Sequence, residues 1–181
     1  MMTTAPMLAD GTKRLCLSEG QFAEISGVLR GVYQKTKCSA AILADESGLL
    51  IAHSGTMPSG NMSLIAAVAA GEYAATNALA RLVGEQGGFR VHFHEGAKNN
   101  LFLTGVDDTH FLAIVFGSQT TFGMVRVLVH KAGEQLVALL DAADKSEQSE
   151  KTVQLVREKV DNDEFRDELS SRLDAVLFGG K

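Results

Sequence analysis

The sequence is poor in cysteine, with Cys16 and Cys38 the only two among its 181 residues. One pair cannot supply the disulfide framework on which small secreted domains depend, and these two positions lack the spacing of zinc ligands. We therefore expect a reduced, cytoplasmic chain in which each cysteine is a small, half-buried apolar residue.

Long apolar runs and basic clusters are also absent. The uncharged run at residues 62–71 is too short and too rich in alanine to span a membrane. Residues 1–17 lack the basic region followed by an apolar stretch that defines a signal peptide. The net charge is −5 and no basic stripe is present, so we expect neither membrane insertion nor nucleic-acid binding.

Motifs for catalysis and cofactor binding are missing as well. The pair Gly87–Gly88 lacks the lysine of a phosphate-binding loop, and residues 45–48 are not a nucleophile elbow. His92 and His94 lie two apart on a predicted strand, so they share a face and could chelate a metal. We favour a polar strand face or a subunit seam. The sequence thus predicts no active site, no cofactor and no metal, and leaves metal binding at such a seam open.

The first half of the chain predicts a helix followed by a hairpin. Ser18 and Gln21 form a capping-box pattern before a helix that should end near Thr36. Residues 38–53 contain two apolar runs around Asp-Glu-Ser-Gly, which is hairpin chemistry because Gly48 can take positive φ. Both runs are apolar on both faces, so we expect helices on each side of the sheet.

The second half adds a long helix, three strands and another helix. The predicted helices cover residues 62–83 and about 121–143, and the predicted strands cover 89–95, 100–106 and 109–116. We interpret His53 and His110 as structural residues and Asp107–Asp108 as a solvated turn. The sequence therefore predicts an α+β sandwich with a five-stranded antiparallel sheet, helices on both faces, and the order αββαβββα.

The two ends of the chain differ from this domain in composition. Residues 1–14 are small and polar, and we expect them to be disordered. Residues 15–143 form the predicted domain. Residues 145–181 carry seven bases and nine acids, so we predict that 144–181 is a helical C-terminal extension. We expect it to form two short amphipathic helices separated near residues 161–164.

The helix predicted at residues 62–83 is unusual because it is filled with alanine and glycine. Small residues recur at helical spacing along it, at Ala67, Ala70, Gly71, Ala74 and Ala78. One interpretation is an alanine-rich core helix. We favour a helix whose small face meets another protein, because Gly71 costs about 1 kcal/mol of helix propensity that a close fit would offset.

Three stretches in order resemble the Roadblock family of small dimeric GTPase-associated proteins. They are AAILADESGLLIAHSG, LIAAVAAGEYAAT and FGMVRVLVHKAGEQL, and the resemblance spans about residues 18–143. Within the family the chain is similar to bacterial MglB-like members, which pair with the Ras-like GTPase MglA. The resemblance implies a non-catalytic homodimer that activates a GTPase and can promote nucleotide exchange. A scaffold or polarity adaptor and a small-molecule sensor are the alternatives.

The resemblance also implies roles for individual residues. It places Ala67, Gly71 and Ala74 on the GTPase-binding surface. The dimer interface would pair the third strands and the central helices, through Ala70, Ala78, Val91 and Phe93. No arginine stands out as a catalytic finger, and Arg81 and Arg126 are candidates by charge alone.

Overall fold

The computed structural model describes residues 17–58 and 60–160, with side chains up to residue 146. The chain divides into a compact unit, Leu17–Asp141, and a second unit whose described part is the helix from Ala142 onward. The domain boundaries predicted at residues 15 and 143 lie near the ends of the compact unit. The predicted disordered segment, residues 1–14, lies outside the described residues.

The predicted element order, αββαβββα, is confirmed. The elements are α1 (Glu19–Thr36), β1 (Ala40–Asp45), β2 (Leu50–Gly55), α2 (Met62–Leu82), β3 (His92–His94), β4 (Asn100–Gly105), β5 (His110–Phe116) and α3 (Phe122–Val160). The five strands form one antiparallel sheet in the order β2-β1-β5-β4-β3. The hairpin β1–β2 and the meander β3–β4–β5 thus join at the central pair of β1 and β5, which leaves β2 and β3 as the edges.

Side-chain caps fix where the first two helices begin. The predicted capping box opens α1: Ser18 Oγ accepts a bond from the Gln21 amide at 3.3 Å, and Gln21 Oε1 accepts one from the Ser18 amide at 2.9 Å. Asn61 Oδ1 accepts the Leu64 amide at 2.9 Å and opens α2. These oxygens satisfy amides that have no partner within the helix.

The predicted hairpin turn is confirmed at residues 45–48. Gly48 has φ +87°, and the Asp45 carboxylate accepts bonds from the Leu49 amide and the Ser47 hydroxyl. The expectation of helices covering both faces holds for β1, which is almost wholly buried. It also holds for β2, which both α1 and α2 contact, although the edge position of this strand leaves His53 exposed.

Each face of the sheet carries its own core. Helix α2 packs on one face, where the buried residues are Ala40, Ile42, Ala44, Met62, Ala66, Ala69, Ala70, Leu103, Phe111, Ala113 and Val115. Alternation along the strands turns the other buried set, Ala41, Leu43, Phe102, Leu112, Ile114 and Phe116, to the opposite face. Helix α1 contacts β1 and β2, and Phe122 of α3 packs on Phe102.

Two element boundaries differ from the sequence prediction. The third strand is limited to three residues, since only His92–His94 pair with β4. The last helix runs unbroken to Val160, so the prediction of a separate helix after residue 144 was wrong. Residues 145–160 contain no glycine or proline, and their charged residues are good helix formers. The second predicted tail helix lies outside the described residues.

Candidate partner-binding surface

The outward side of α2 is an apolar surface that nothing in the compact unit covers. The helix turns Met62, Ala66, Ala69, Ala70 and Ala80 toward the sheet. Leu64 and Leu82, on the opposite side, are 57% and 84% exposed. Within α2 the only charged side chains are Glu72 and Arg81, so this surface is neither a second core face nor a charged, solvated one.

One side of this surface consists of small residues. We call Ala67, Gly71, Ala74 and Ala78 the small flank; all four are exposed and follow helical spacing. A Cβ built on Gly48 would lie 2.7 Å from Ala67 Cα, so this flank faces the β1–β2 hairpin. A Cβ built on Gly71 would meet nothing within 4 Å. The chain itself does not need glycine there.

The other side of the surface carries larger residues and faces β3. We call Val68, Ala75 and Leu79 the apolar flank; Val68 is 66% and Leu79 is 52% exposed. Glu72 lies on the same side, one turn from Val68, and its carboxylate reaches His92 and His94 of β3. The apolar flank is therefore continuous with the open edge of the sheet.

The residues predicted to bind a partner fall into two groups. Ala67, Gly71 and Ala74 come together on the small flank, and so does Ala78, for which the sequence analysis predicted a place in the dimer interface. Ala70 is 4% exposed and packs in the core under the helix, so we do not retain it in an interface. The sequence analysis missed Val68 and Leu79, because a bulky apolar residue in a helix is usually a core residue. The helical spacing that places Val68 and Leu79 on the same side as the charged Glu72 could have identified them as exposed residues.

The two predicted interface residues of the third strand lie at the sheet edge. Val91 is partly buried just before β3, and Phe93 is 39% exposed. The Phe93 ring packs against Phe122 and Phe116, with centroids 4.8 and 6.3 Å apart. Phe93 therefore points to the sheet face opposite α2, and its interface role stays a prediction.

His92 and His94 share a face of β3, as predicted, but that face is turned toward α2. His94 Nε2 lies 3.1 Å and His92 Nδ1 lies 3.5 Å from the same oxygen, Glu72 Oε1. The His92 ring also stacks on Tyr73. Among the described residues, no group of three His, Cys, Asp or Glu side chains is placed to hold a metal ion.

The turn between β4 and β5 is more ordered than the predicted solvated turn. The Asp107 carboxylate accepts bonds from the His110 ring at 2.8 Å and from the Thr109 and His110 amides, each at 2.8 Å. Partial burial by itself raises the pKa of Asp107, but these bonds and the His110 ring outweigh it and leave the pKa below its usual value. Asp107 therefore organises the turn as a carboxylate.

The remaining reactive candidates are one buried thiol and two exposed arginines. Cys38 is buried, and burial raises the pKa of its thiol despite a bond with Thr36, which agrees with a small apolar role. Arg81 and Arg126 are exposed, and Arg81 continues the small flank one turn beyond Ala78.

No helix in the described part of the chain is long and apolar enough to cross a membrane.

A comparison with known protein families identifies the family to which this fold belongs. The model of the Roadblock/LC7 domain matches residues 27–116, which run from α1 to the end of β5. No curated protein matches the sequence.

Solved structures give the same result and match a larger part of the chain. Myxococcus xanthus MglB is 31% identical, with a TM-score of 0.65, over 70% of this chain and 95% of that one. The gliding protein MglB from Thermus thermophilus is 26% identical, with a TM-score of 0.64 over the same shares. A Roadblock/LC7 domain from Streptomyces avermitilis, at 19% identity and a TM-score of 0.52, covers 68% of this chain and 97% of its own and shares the fold. The chain belongs to the Roadblock/LC7 family and is similar to its MglB members.

Proposed function

We propose that this protein is a homodimeric regulator of a small Ras-like GTPase of the MglA type and that it acts by binding. The observation that carries the proposal is the outward surface of α2, which is apolar and exposed along the whole helix. Such a continuous patch is typical of a protein-binding site. The resemblance to MglB supplies the class of partner.

The proposed dimer uses the β3 edge. A strand at the edge of a sheet has unpaired backbone groups that a second copy can pair with, and Val91 and Phe93 would lie at that seam. The apolar flank is continuous with the same edge, so Val68 and Leu79 of two copies would be buried together. A closed, twofold arrangement of this kind removes both the exposed strand edge and the larger apolar residues from water.

The small flank is then left for the GTPase. Ala67, Gly71, Ala74 and Ala78 let another backbone approach α2 closely, and the hairpin turn at Gly48 extends the surface beside them. Binding of this kind changes a reaction rate only if the surface prefers one conformation of the partner. We infer that the regulator stabilises the hydrolysis-competent arrangement of the GTPase's own switch residues.

The test measures GTP hydrolysis and nucleotide release by a purified MglA-type GTPase with and without this protein. We expect hydrolysis to rise about tenfold or more, which corresponds to about 1.4 kcal/mol of the barrier. Faster nucleotide release would add an exchange-promoting role. Binding without any change in either rate would make the protein an adaptor instead, and an absence of binding would overturn the proposal.

A further inference from the structure

Three buried polar atoms without a hydrogen-bond partner lie together where α2 meets β3. They are Glu72 Oε2 and both ring nitrogens of His92, and His92 is 5% exposed. Buried polar atoms are nearly always paired, so a cluster of unpaired ones calls for a specific explanation. Because His92 and Glu72 are both ionisable, we look for that explanation in the protonation state of the cluster.

The surroundings of His92 contain few other charges. Helix α2 contributes Glu72 and Tyr73, whose ring stacks on the imidazole at 5.2 Å. From the sheet, β4 contributes Leu103 opposite His92, and β5 contributes Phe111, which also stacks on Tyr73.

On its own strand, His92 has His94 two residues later and Arg90 two residues earlier. Arg90 is exposed and its carbonyl accepts a bond from the Thr104 hydroxyl. Glu72 is thus the anion that faces both imidazoles.

One carboxylate therefore serves two histidines. Glu72 Oε1 accepts a bond from His94 Nε2 at 3.1 Å and from the Thr76 hydroxyl at 3.0 Å. His92 Nδ1 lies 3.5 Å from that oxygen, which is too long for a good hydrogen bond, although a small shift of the carboxylate would close the gap. The buried Oε2 has unused capacity to accept a second bond.

We propose that Glu72, His92 and His94 form a proton-dependent latch that holds the β3 edge against α2. When one of the two imidazoles carries a proton, the imidazolium donates a charge-assisted bond to the carboxylate. Such bonds are about twice as strong as neutral ones. When both imidazoles are neutral these bonds are weaker, and β3 is held by its pairing with β4 and by the packing of Phe93.

The latch lies at the edge that we assign to the dimer, so this consequence rests on the proposed function. A β3 strand that is fixed to α2 presents its free edge and the apolar flank in one fixed arrangement. A loosened β3 must be ordered before a second copy can pair with it, and that ordering opposes association. Dimerisation should therefore be favoured at mildly acid pH.

A double-mutant cycle on the full chain tests the latch without any partner. Glu72→Gln and His94→Gln are made singly and together, and urea unfolding is measured at pH 5.5 and pH 8.0. We expect the two sites to be coupled by about two- to fivefold in the unfolding equilibrium constant at pH 5.5. The coupling should fall at least twofold at pH 8.0.

The chain contains a matched control pair. His130 and Glu134 lie 3.6 Å apart on α3 and are both largely exposed, so His130→Gln with Glu134→Gln reports the pH response of a solvated pair. A coupling between Glu72 and His94 that is the same at both pH values, or no larger than the control, would overturn the latch.

Light scattering at the two pH values provides the second readout. We expect the wild-type dimer dissociation constant to rise about two- to fivefold from pH 5.5 to pH 8.0, and that of the double variant to change less. A coupling that depends on pH in a chain that stays monomeric would keep the latch and remove the proposed dimer. A dimer that forms without pH-dependent coupling would keep the proposed dimer and overturn the latch.

Discussion

Gly48 in the β1–β2 turn lies directly against the backbone of Ala67 in α2. A Cβ at Gly48 would come 2.7 Å from Ala67 Cα, closer than side chains pack. Gly48 also has φ +87°, a conformation that other residues adopt only at a cost. The turn and the helix thus meet at a position that only glycine fills, and this contact sets where the small flank begins.

The first prediction concerns this contact. Gly48→Ala should lower the free energy of unfolding by more than the strain of positive φ alone, which is about 1–3 kcal/mol. The control is Gly84→Ala, because Gly84 has φ +90° but open space around its Cβ position. Urea unfolding of both variants gives the comparison. Equal losses would show that the contact with Ala67 adds nothing.

The second prediction follows from the lowered pKa of Asp107. A carboxylate with a lowered pKa in the folded state stabilises the fold above its unfolded pKa of about 3.9, and that contribution is lost as the pH falls through the folded value. Asp107→Asn should therefore lower the free energy of unfolding by about 1–3 kcal/mol at pH 7. The difference from wild type should shrink at pH 3.

Urea unfolding at the two pH values measures this difference. The exposed neighbour Asp108 supplies the control, because Asp108→Asn removes the same charge from a solvent-facing side chain of the same turn. A loss for Asp107→Asn that is the same at pH 3 and pH 7 would mean that its charge is not what matters.

The third prediction is that a chain truncated after Asp144 still folds. The compact unit ends at Asp141, and a helix that continues beyond a domain can be shortened where its residues leave the core. Circular dichroism and a cooperative melting curve should match those of the full chain within a few degrees. An insoluble or non-cooperative product would show that the extension contributes to the core.

Sequence patterns predicted the parts of the fold that depend on local chemistry. The cap at Ser18 and the turn at Gly48 follow from hydrogen-bonding capacity and allowed φ, which neighbouring residues reveal. The sequence also predicted correctly that His92 and His94 share one face of β3. Which of the two faces of β3 would be covered by α2 could not be predicted, because that depends on how the helix crosses the sheet.

The errors have the same origin. Ala70 looked like one more member of a small stripe, yet only packing against the sheet decides which alanines of α2 are core and which are exposed. The change of composition after Asp144 suggested a helix end, but residues 145–160 contain no glycine or proline to stop the helix. The sequence also could not divide the exposed side of α2 into the small flank and the apolar flank, because the packing of the helix on the sheet decides which residues stay exposed.

The fourth prediction tests the dimer at the apolar flank. Val68→Glu with Leu79→Glu places four charges at the proposed seam of two copies, where they would repel one another and lose water. Light scattering at micromolar concentration should show a dimer for the wild type and a monomer for the variant, with melting above room temperature in both. A wild-type monomer, or a variant that still dimerises, would contradict the proposed interface.

The fifth prediction tests the small flank. Ala67→Arg with Gly71→Arg should abolish GTPase binding, because a long charged side chain at the centre of a close interface either clashes or is buried unpaired. The fold should tolerate the change. Both positions are exposed, and arginine at Gly71 improves helix propensity by nearly 1 kcal/mol. The measurement is a binding titration with the GTPase in its GTP-analogue form, alongside a melting curve.

Helix α1 offers a matched control for the fifth prediction. Ala23 and Gly27 have the same residue types and the same spacing as Ala67 and Gly71, and both are exposed. A Cβ on Gly27 meets nothing within 4 Å. Ala23→Arg with Gly27→Arg therefore adds the same two charges to a different helix and should leave binding intact. Equal loss of binding in both variants would point to net charge, normal binding by the α2 variant would place the partner elsewhere, and unfolding of the α2 variant would show that its small residues serve the core.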